Sequence, residues 1–176
     1  MKKIIAFAGS NSKNSINKQL VTYASNKVSD AEIAILDLND FELPLYGIDY
    51  EGEHGIPNNA KKFLETIQLA DGIILSLAEH NGAYSTVFKN IFDWMSRIDG
   101  KLWNGVPMLL MAASPGARGG ASVLEISKNR FPFMGGNIVA EFSFPSFYEN
   151  FKEDTIINEI LNNDLYEAVK AFEGSL

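Results

Sequence analysis

Residues Ile4–Leu20 read Ile-Ile-Ala-Phe-Ala-Gly-Ser-Asn-Ser-Lys-Asn-Ser-Ile-Asn-Lys-Gln-Leu, and the expected fold is built outward from them. An apolar run ends at Gly9, a loop rich in hydroxyls and amides follows, and Ile16, Leu20, Val21 and Ala24 then recur at helical spacing. That is a strand, a loop and a helix. The first N–H groups of such a helix have no internal partner and its dipole adds partial positive charge, so the loop is a ready anion site. Ser10, Asn11, Ser12, Ser15 and Asn17 add side-chain donors, which suits a phosphate group. The plainer reading is a Gly-Ser turn with a Ser or Asn N-cap, joining strand to helix with no ligand at all. The loop lacks the Gly-Lys-Ser/Thr ending of a nucleoside triphosphate loop and the three spaced glycines of a dinucleotide fingerprint, which sets both ligand classes aside.

Strand and helix patterns alternate through the rest of the chain, with no internal repeat. The first helix is expected to run to about Val28. Glu32–Leu38 follows as a second strand, rich in β-branched and apolar residues. Asn39–Asn58 is the longest loop, and its Leu43, Leu45, Tyr46, Ile48 and Tyr50 make it too apolar for a linker, so it packs over an edge or near a site. Asn58–Leu69 is a helix, and Gly72–Leu77 is a nearly continuous apolar run of the kind found in parallel strands buried on both faces. In the helix expected over Ala83–Ile98, the residues Tyr84, Val87, Phe88, Ile91, Phe92, Trp94, Met95 and Ile98 span an arc of about 160°, wider than one core contact requires. A second subunit would cover the excess, and so would the Leu43–Tyr50 loop. Val106–Ala113 and Asn137–Phe144 read as strands, and Gly119–Arg130 and Asp154–Phe172 as helices, with Asn162-Asn163-Asp164 a candidate break in the last. The aromatic stretch Phe142–Phe151 reads as core cover or interface. Five apolar strands alternating with helices imply a parallel sheet with helices on both faces. Ligands of such sheets bind beyond the carboxyl ends of the strands, which directs attention to the loops after strands one, three and four.

A chain of 176 residues with 46% hydrophobic content fits one domain, which buries roughly 70% of its unfolded surface. There is no cysteine, so disulfides, thiolate nucleophiles and thiolate metal sites are excluded, and an intracellular setting is expected. No cleavable leader and no span of about 20 apolar residues is visible, so the expectation is a cytoplasmic protein without a membrane partner. The formal charge of −7 argues against nucleic acid. The two histidines, His54 and His80, lie in different loops with no metal-ligand spacing, so no metal site is expected.

The loop after strand three reads Ala78-Glu79-His80-Asn81-Gly82-Ala83-Tyr84 and continues into Lys89-Asn90-Ile91-Phe92-Asp93-Trp94; that after strand four reads Ser114-Pro115-Gly116-Ala117-Arg118-Gly119-Gly120. Together with Gly9-Ser10, Ser15 and Asn17, these stretches resemble the NAD(P)H-dependent FMN reductase family of flavodoxin-like proteins. The resemblance runs over most of the chain. It implies a three-layer α/β sandwich around a five-stranded parallel sheet of order 2-1-3-4-5. It also implies that Ser10, Ser12, Lys13, Ser15, Ile16 and Asn17 surround the FMN phosphate, that Glu79, His80, Asn81 and Gly82 line the flavin ring, and that Ser114, Pro115, Gly116, Gly119 and Gly120 lie near its other edge. Backbone N–H groups made accessible by glycine would steady negative charge on a reduced ring. Lys89, Asn90, Asp93 and Trp94 match a helix signature whose role is packing and dimerisation. The chain departs from the family pattern at Ser12 (commonly Arg, with Lys13 as a substitute charge), at Ala78-Glu79-His80-Asn81 (commonly Pro-Glu-Tyr-Asn) and at Ser85 (commonly Pro).

The implied function is an FMN-dependent oxidoreductase. NADPH or NADH would pass hydride to the flavin N5, and a small acceptor such as a flavin, quinone or azo compound would receive the electrons, in a homodimer or homotetramer. No side chain need be a nucleophile, because the flavin carries the chemistry. Arg118 has two readings, a contact to a nucleotide phosphate or acidic substrate and a surface ion pair. A flavodoxin-like electron carrier is the alternative, since an acidic surface steers basic redox partners. A protein that keeps the fold without a flavin is the third.

Overall fold

A computed structural model describes Met1–Leu176. Its elements in chain order are β1 (Lys2–Gly9), α1 (Ile16–Ser25), β2 (Ala31–Leu36), a 3-10 turn (Leu38–Phe41), α2 (Ile48–His54), α3 (Asn58–Gln68), β3 (Gly72–His80), β4 (Ala83–Tyr84), α4 (Thr86–Ile98), β5 (Pro107–Ala113), α5 (Ala121–Arg130), a second 3-10 turn (Phe131–Met134), β6 (Asn137–Phe144), α6 (Phe147–Asn150), β7 (Phe151–Lys152), β8 (Thr155–Ile156) and α7 (Glu159–Glu173). The five long strands pair in parallel in the order β2-β1-β3-β5-β6, which is the expected 2-1-3-4-5 order. The sheet also has a sixth strand, because β4 adds antiparallel to the end of β3. No helix is long and apolar enough to cross a membrane.

Alternation along the strands sorts the core into two layers. Ile5 and Phe7, Ile73, Leu75 and Leu77, and Met108 and Leu110 point into a cluster of 23 buried residues shared with α3, α4 and α5. Ile4 and Ala6, Ile74, and Leu109 and Met111 point the other way, into a cluster of 17 shared with α1 and α7. The aromatic stretch joins this second layer through Phe142, Phe144, Phe147 and Phe151, the first of the two roles, core cover and interface, expected of it. At one position on that face the pattern breaks: Ser76 is fully buried where an apolar residue would ordinarily stand.

Several boundaries differ from expectation. The expected helix over Ala83–Ile98 starts at Thr86, because Asn81 and Gly82 both take positive φ (52° and 77°) and turn the chain back into β4. That is a two-residue hairpin loop, for which Asn-Gly is the preferred dipeptide. The expected last helix starts at Glu159 rather than Asp154: Glu153 and Asp154, again both at positive φ, turn β7 into β8, and Asn158 caps the helix instead. Asn162-Asn163-Asp164 does not interrupt it. The expected long loop Asn39–Asn58 holds the first 3-10 turn and α2.

The chain's own strap, Leu43–Tyr50, packs on the apolar arc of α4. Trp94 is fully buried, and its indole N–H donates to the Pro44 carbonyl at 2.8 Å. Asn90 donates to the same carbonyl at 3.0 Å and accepts from the Tyr46 N–H at 2.8 Å. Tyr46 and Tyr50 meet the Trp94 ring edge-on, and Arg97 pairs with Glu51 at 2.9 Å. The width of the arc therefore carries no inference about oligomerisation. On the solvent side of the helix, Lys89 pairs with Asp93 one turn on.

Candidate functional site

The loops that leave β1, β3 and β5 enclose a cavity of about 320 Å3. One wall is the β1 loop and the start of α1, from Ser10, Ser12 and Asn14 to Ser15, Ile16 and Asn17; the others are Ala78, Glu79 and His80, then Ala113, Ser114 and Pro115, with Tyr148 from α6. Ala78 and Ala113 are register partners at the ends of β3 and β5, so the floor between the walls is made of methyl groups.

The β1 loop is built by its own hydroxyls. The Ser12 N–H donates to Ser10 Oγ at 3.1 Å, the Ser15 N–H donates to the Ser12 carbonyl, and Ser15 Oγ caps α1 by accepting from the Lys18 N–H at 3.2 Å. The Ile16 and Asn17 N–H groups have no partner in the chain and stand on the cavity wall. Donors of this kind at a helix start are what a phosphate needs.

Asn17 does something the sequence reading did not assign to it. Its Oδ1 accepts from the Ala113 N–H at 2.8 Å and from Ser76 Oγ at 2.7 Å, and its Nδ2 donates to the Ala113 carbonyl at 3.3 Å. The side chain, 2% exposed, pins α1 to β3 and β5, and this explains the buried serine in the sheet. Asn17 offers the cavity its backbone N–H, with its side-chain oxygen already occupied.

Glu79 is likewise turned away from a purely ligand-facing role. Its carboxylate accepts from the Val123 N–H at 3.0 Å, in the first turn of α5. The N-cap position of that helix is Gly120, which has no side chain to cap it, so Glu79 supplies the cap from β3 and fixes the Ser114–Gly120 loop. Gly119 and Gly120 lie outside the cavity lining, and their glycine character has a packing cause. Both have positive φ (57° and 76°), and a Cβ on Gly120 would stand 2.6 Å from that of Ala112. A Cβ on Gly119 would collide with Ser143 and with the Pro145 nitrogen. Gly116 is exposed, with open space around it. Asn81 and Gly82 form the hairpin tip next to His80 and are outside the lining as well.

Two expected charges fall elsewhere. Lys13 lines a different groove, with Lys18, Gln19 and Tyr23, on the outer side of α1, so the 320 Å3 cavity has neither Lys nor Arg in its wall. The neighbouring Lys18 is paired with Asp37, and this bond together with the Asn39 N–H holds the Asp37 carboxyl below the usual carboxylate range. Arg118 donates to Ser122 Oγ at 3.2 Å within its own helix start and forms no ion pair. Ser85 caps α4 through the Phe88 N–H at 3.3 Å and donates to the Gly9 carbonyl at 2.7 Å, tying the β1 end to α4, which a proline could not do. Asn14 and Tyr148 are cavity residues that sequence reasoning did not pick out. Tyr148 is 62% exposed among buried phenylalanines, and only the turn at Ser146, with φ 47°, delivers it to the cavity.

Comparison with known proteins agrees with this arrangement. A family model described as NADPH-dependent FMN reductase matches residues 2–149. A 2-hydroxy-1,4-benzoquinone reductase from a Burkholderia species is 37% identical over 121 residues, 68% of this chain and 64% of that protein. A quinone reductase from Escherichia coli K12 is 31% identical over 120 residues, 68% of this chain and 63% of its own length. The chain thus spans a little under two thirds of these relatives. Among solved structures, a flavoenzyme NAD(P)H:(acceptor) oxidoreductase from Paracoccus denitrificans superposes with a TM-score of 0.77 at 26% identity, covering 99% of this chain and 96% of that one. On the strength of the family match over residues 2–149, with the three loops in their expected places, the chain belongs to the NADPH-dependent FMN reductase family.

Proposed function

We propose that the protein is an FMN-dependent NAD(P)H oxidoreductase that passes electrons to a small acceptor of the quinone type. The observation that carries this reading is the pair of unpartnered N–H groups, of Ile16 and Asn17, at the mouth of a three-loop cavity with a methyl floor. The donor set fits FMN. The phosphate would be held by those N–H groups with the Ser10 and Ser12 hydroxyls, and the ring would meet His80, Ser114, Pro115 and Tyr148. Bound there, FMN would supply hydride transfer from NAD(P)H to the acceptor.

The chain's own residues hold and shape the site. Asn17 fixes the height of α1 above the sheet, Glu79 fixes the Ser114–Gly120 loop, and Ser85 ties the β1 end to α4. No Lys or Arg meets the cavity, so the anion is held by neutral dipoles alone. The relatives named as quinone reductases support the acceptor class.

A visible spectrum of the purified protein with added FMN, followed by anaerobic NADPH, tests the reading. A perturbed flavin spectrum that bleaches quickly supports it. A perturbed spectrum that does not bleach favours an electron carrier served by protein partners, and an unperturbed spectrum refutes FMN binding.

A further inference from the structure

A second, larger cavity of about 670 Å3 lies beside the first, between the strap that follows β2 and the first turns of α4. His80 is the residue common to both walls, so the two spaces meet at the hairpin. The larger cavity is lined by 13 residues, of which 6 are hydrophobic: Leu38, Phe41, Leu43, Leu45, Val87 and Ile91. Three of its seven polar side chains are occupied: Asn39 donates to the Asn11 carbonyl, Asn90 is used on the strap, and Ser85 on Gly9 and α4. The remaining four are the Asn11 amide, the Thr86 hydroxyl, the His80 ring and the Glu42 carboxylate. Glu42 is the one carboxylate in the lining, which has no Lys or Arg to set against it.

We propose that this cavity is the docking site of the electron acceptor, and that it takes uncharged or cationic planar ring compounds and disfavours anionic ones. The inference rests on the oxidoreductase reading above and deepens it. A slot with six apolar side chains in its wall accepts a flat ring, because burying the ring is favourable and the occupied Asn39 and Asn90 amides need no new partner. An anionic substituent would approach the exposed Glu42 carboxylate with no cation in the lining to pair with, and a cationic or neutral ring would meet no such repulsion. His80, shared by both walls, puts this space next to the one assigned to FMN.

The test is a chemical-shift titration of the full-length, isotope-labelled protein without reductant, using 2-methyl-1,4-naphthoquinone, then 1,4-naphthoquinone-2-sulfonate, and in a separate sample FMN. The neutral quinone is expected to shift the amides of Thr86 and Val87 and the side-chain amide of Asn39, and the sulfonate to bind about tenfold more weakly. Val87→Trp, which fills the slot, is expected to abolish the quinone shifts while FMN still shifts Ile16 and Asn17. Glu42→Lys, an exposed change that leaves the fold intact, is expected to remove or reverse the preference against the sulfonate.

Equal binding of the two quinones by the parent protein overturns the proposal, as does absence of shifts at Thr86 and Val87. So does FMN moving those two residues as strongly as Ile16 and Asn17, because the flavin ring would then fill the slot. Quinone binding with no FMN shift anywhere refutes the oxidoreductase reading, and with it the slot's assignment to an acceptor. FMN shifts at Ile16 and Asn17 without quinone shifts in the slot overturn this inference alone.

Discussion

Replacing Glu79 by alanine separates a structural carboxylate from a ligand-binding one. The carboxylate accepts from the Val123 N–H at 3.0 Å, and α5 has no side-chain cap of its own at Gly120. Losing a charge-assisted bond to a backbone donor costs about 1.5–3 kcal/mol, and losing a negative charge at a helix start adds about 0.3–1 kcal/mol. Glu79 is only partly buried, so water rehydrates some of the freed N–H, and a net loss of about 1.5–3 kcal/mol is expected. For a domain of this size that lowers Tm by roughly 3–12 °C. Glu79→Gln keeps an oxygen acceptor and gives up the charge, so it is expected to lose only about 0.5–1 kcal/mol. Urea and thermal unfolding of the ligand-free protein measure both variants. If Glu79→Ala unfolds within about 0.5 kcal/mol of the parent while its affinity for FMN collapses, the capping assignment is refuted and the carboxylate belongs to the ligand.

Three further outcomes are expected. Asn17→Ala strands the Ser76 hydroxyl and both backbone groups of Ala113 in a buried site, and urea unfolding should show a loss of about 3–5 kcal/mol. Gly120→Ala combines a positive φ with a Cβ 2.6 Å from Ala112, for about 2–5 kcal/mol by the same measurement, whereas Gly116→Ala, with open space around it, should stay within about 0.5 kcal/mol. Asp37 titrates below its ordinary value of 3.8 when folded, so the stability of its Lys18 pair is present above that pH and is lost as pH falls through the folded value. Acid unfolding of Lys18→Met should accordingly show a shallower loss below about pH 4 than the parent, and parallel curves would contradict the pairing.

The sheet was legible because its strands carry their own evidence: β3 and β5 are apolar on both faces, and only a doubly covered parallel sheet can bury them. The Asn81-Gly82 hairpin was also written in the sequence, but the helical spacing of Tyr84, Val87 and Phe88 masked it. Tyr84 sits at that spacing for a different reason, because as a strand residue it still reaches the rings of Phe88 and Phe131. The Glu153-Asp154 turn had no comparable signal, since neither residue is glycine and the positive φ is imposed by the β7–β8 pairing. In the site, Ser10, Ser12, Ser15, His80, Ser114 and Pro115 line the cavity as the loops suggested. The roles of Asn17 and Glu79 were not readable, because their partners Ser76 and Val123 lie 59 and 44 residues away. Tyr148 was hidden among four phenylalanines of the same stretch, which are buried in the core while it is exposed.

The absence of any Lys or Arg from the three-loop cavity bears on how an anion bound there responds to its surroundings. A phosphate clamped by cations loses affinity as salt screens them, whereas one held by short-range N–H and hydroxyl dipoles in a recess does not. With a formal charge of −7 on the whole chain, the long-range field repels an approaching anion, and added salt relaxes that repulsion. Capture at this site should therefore be indifferent to ionic strength once the anion is seated, and slightly faster in reaching it as salt rises, the reverse of a site built on positive charge.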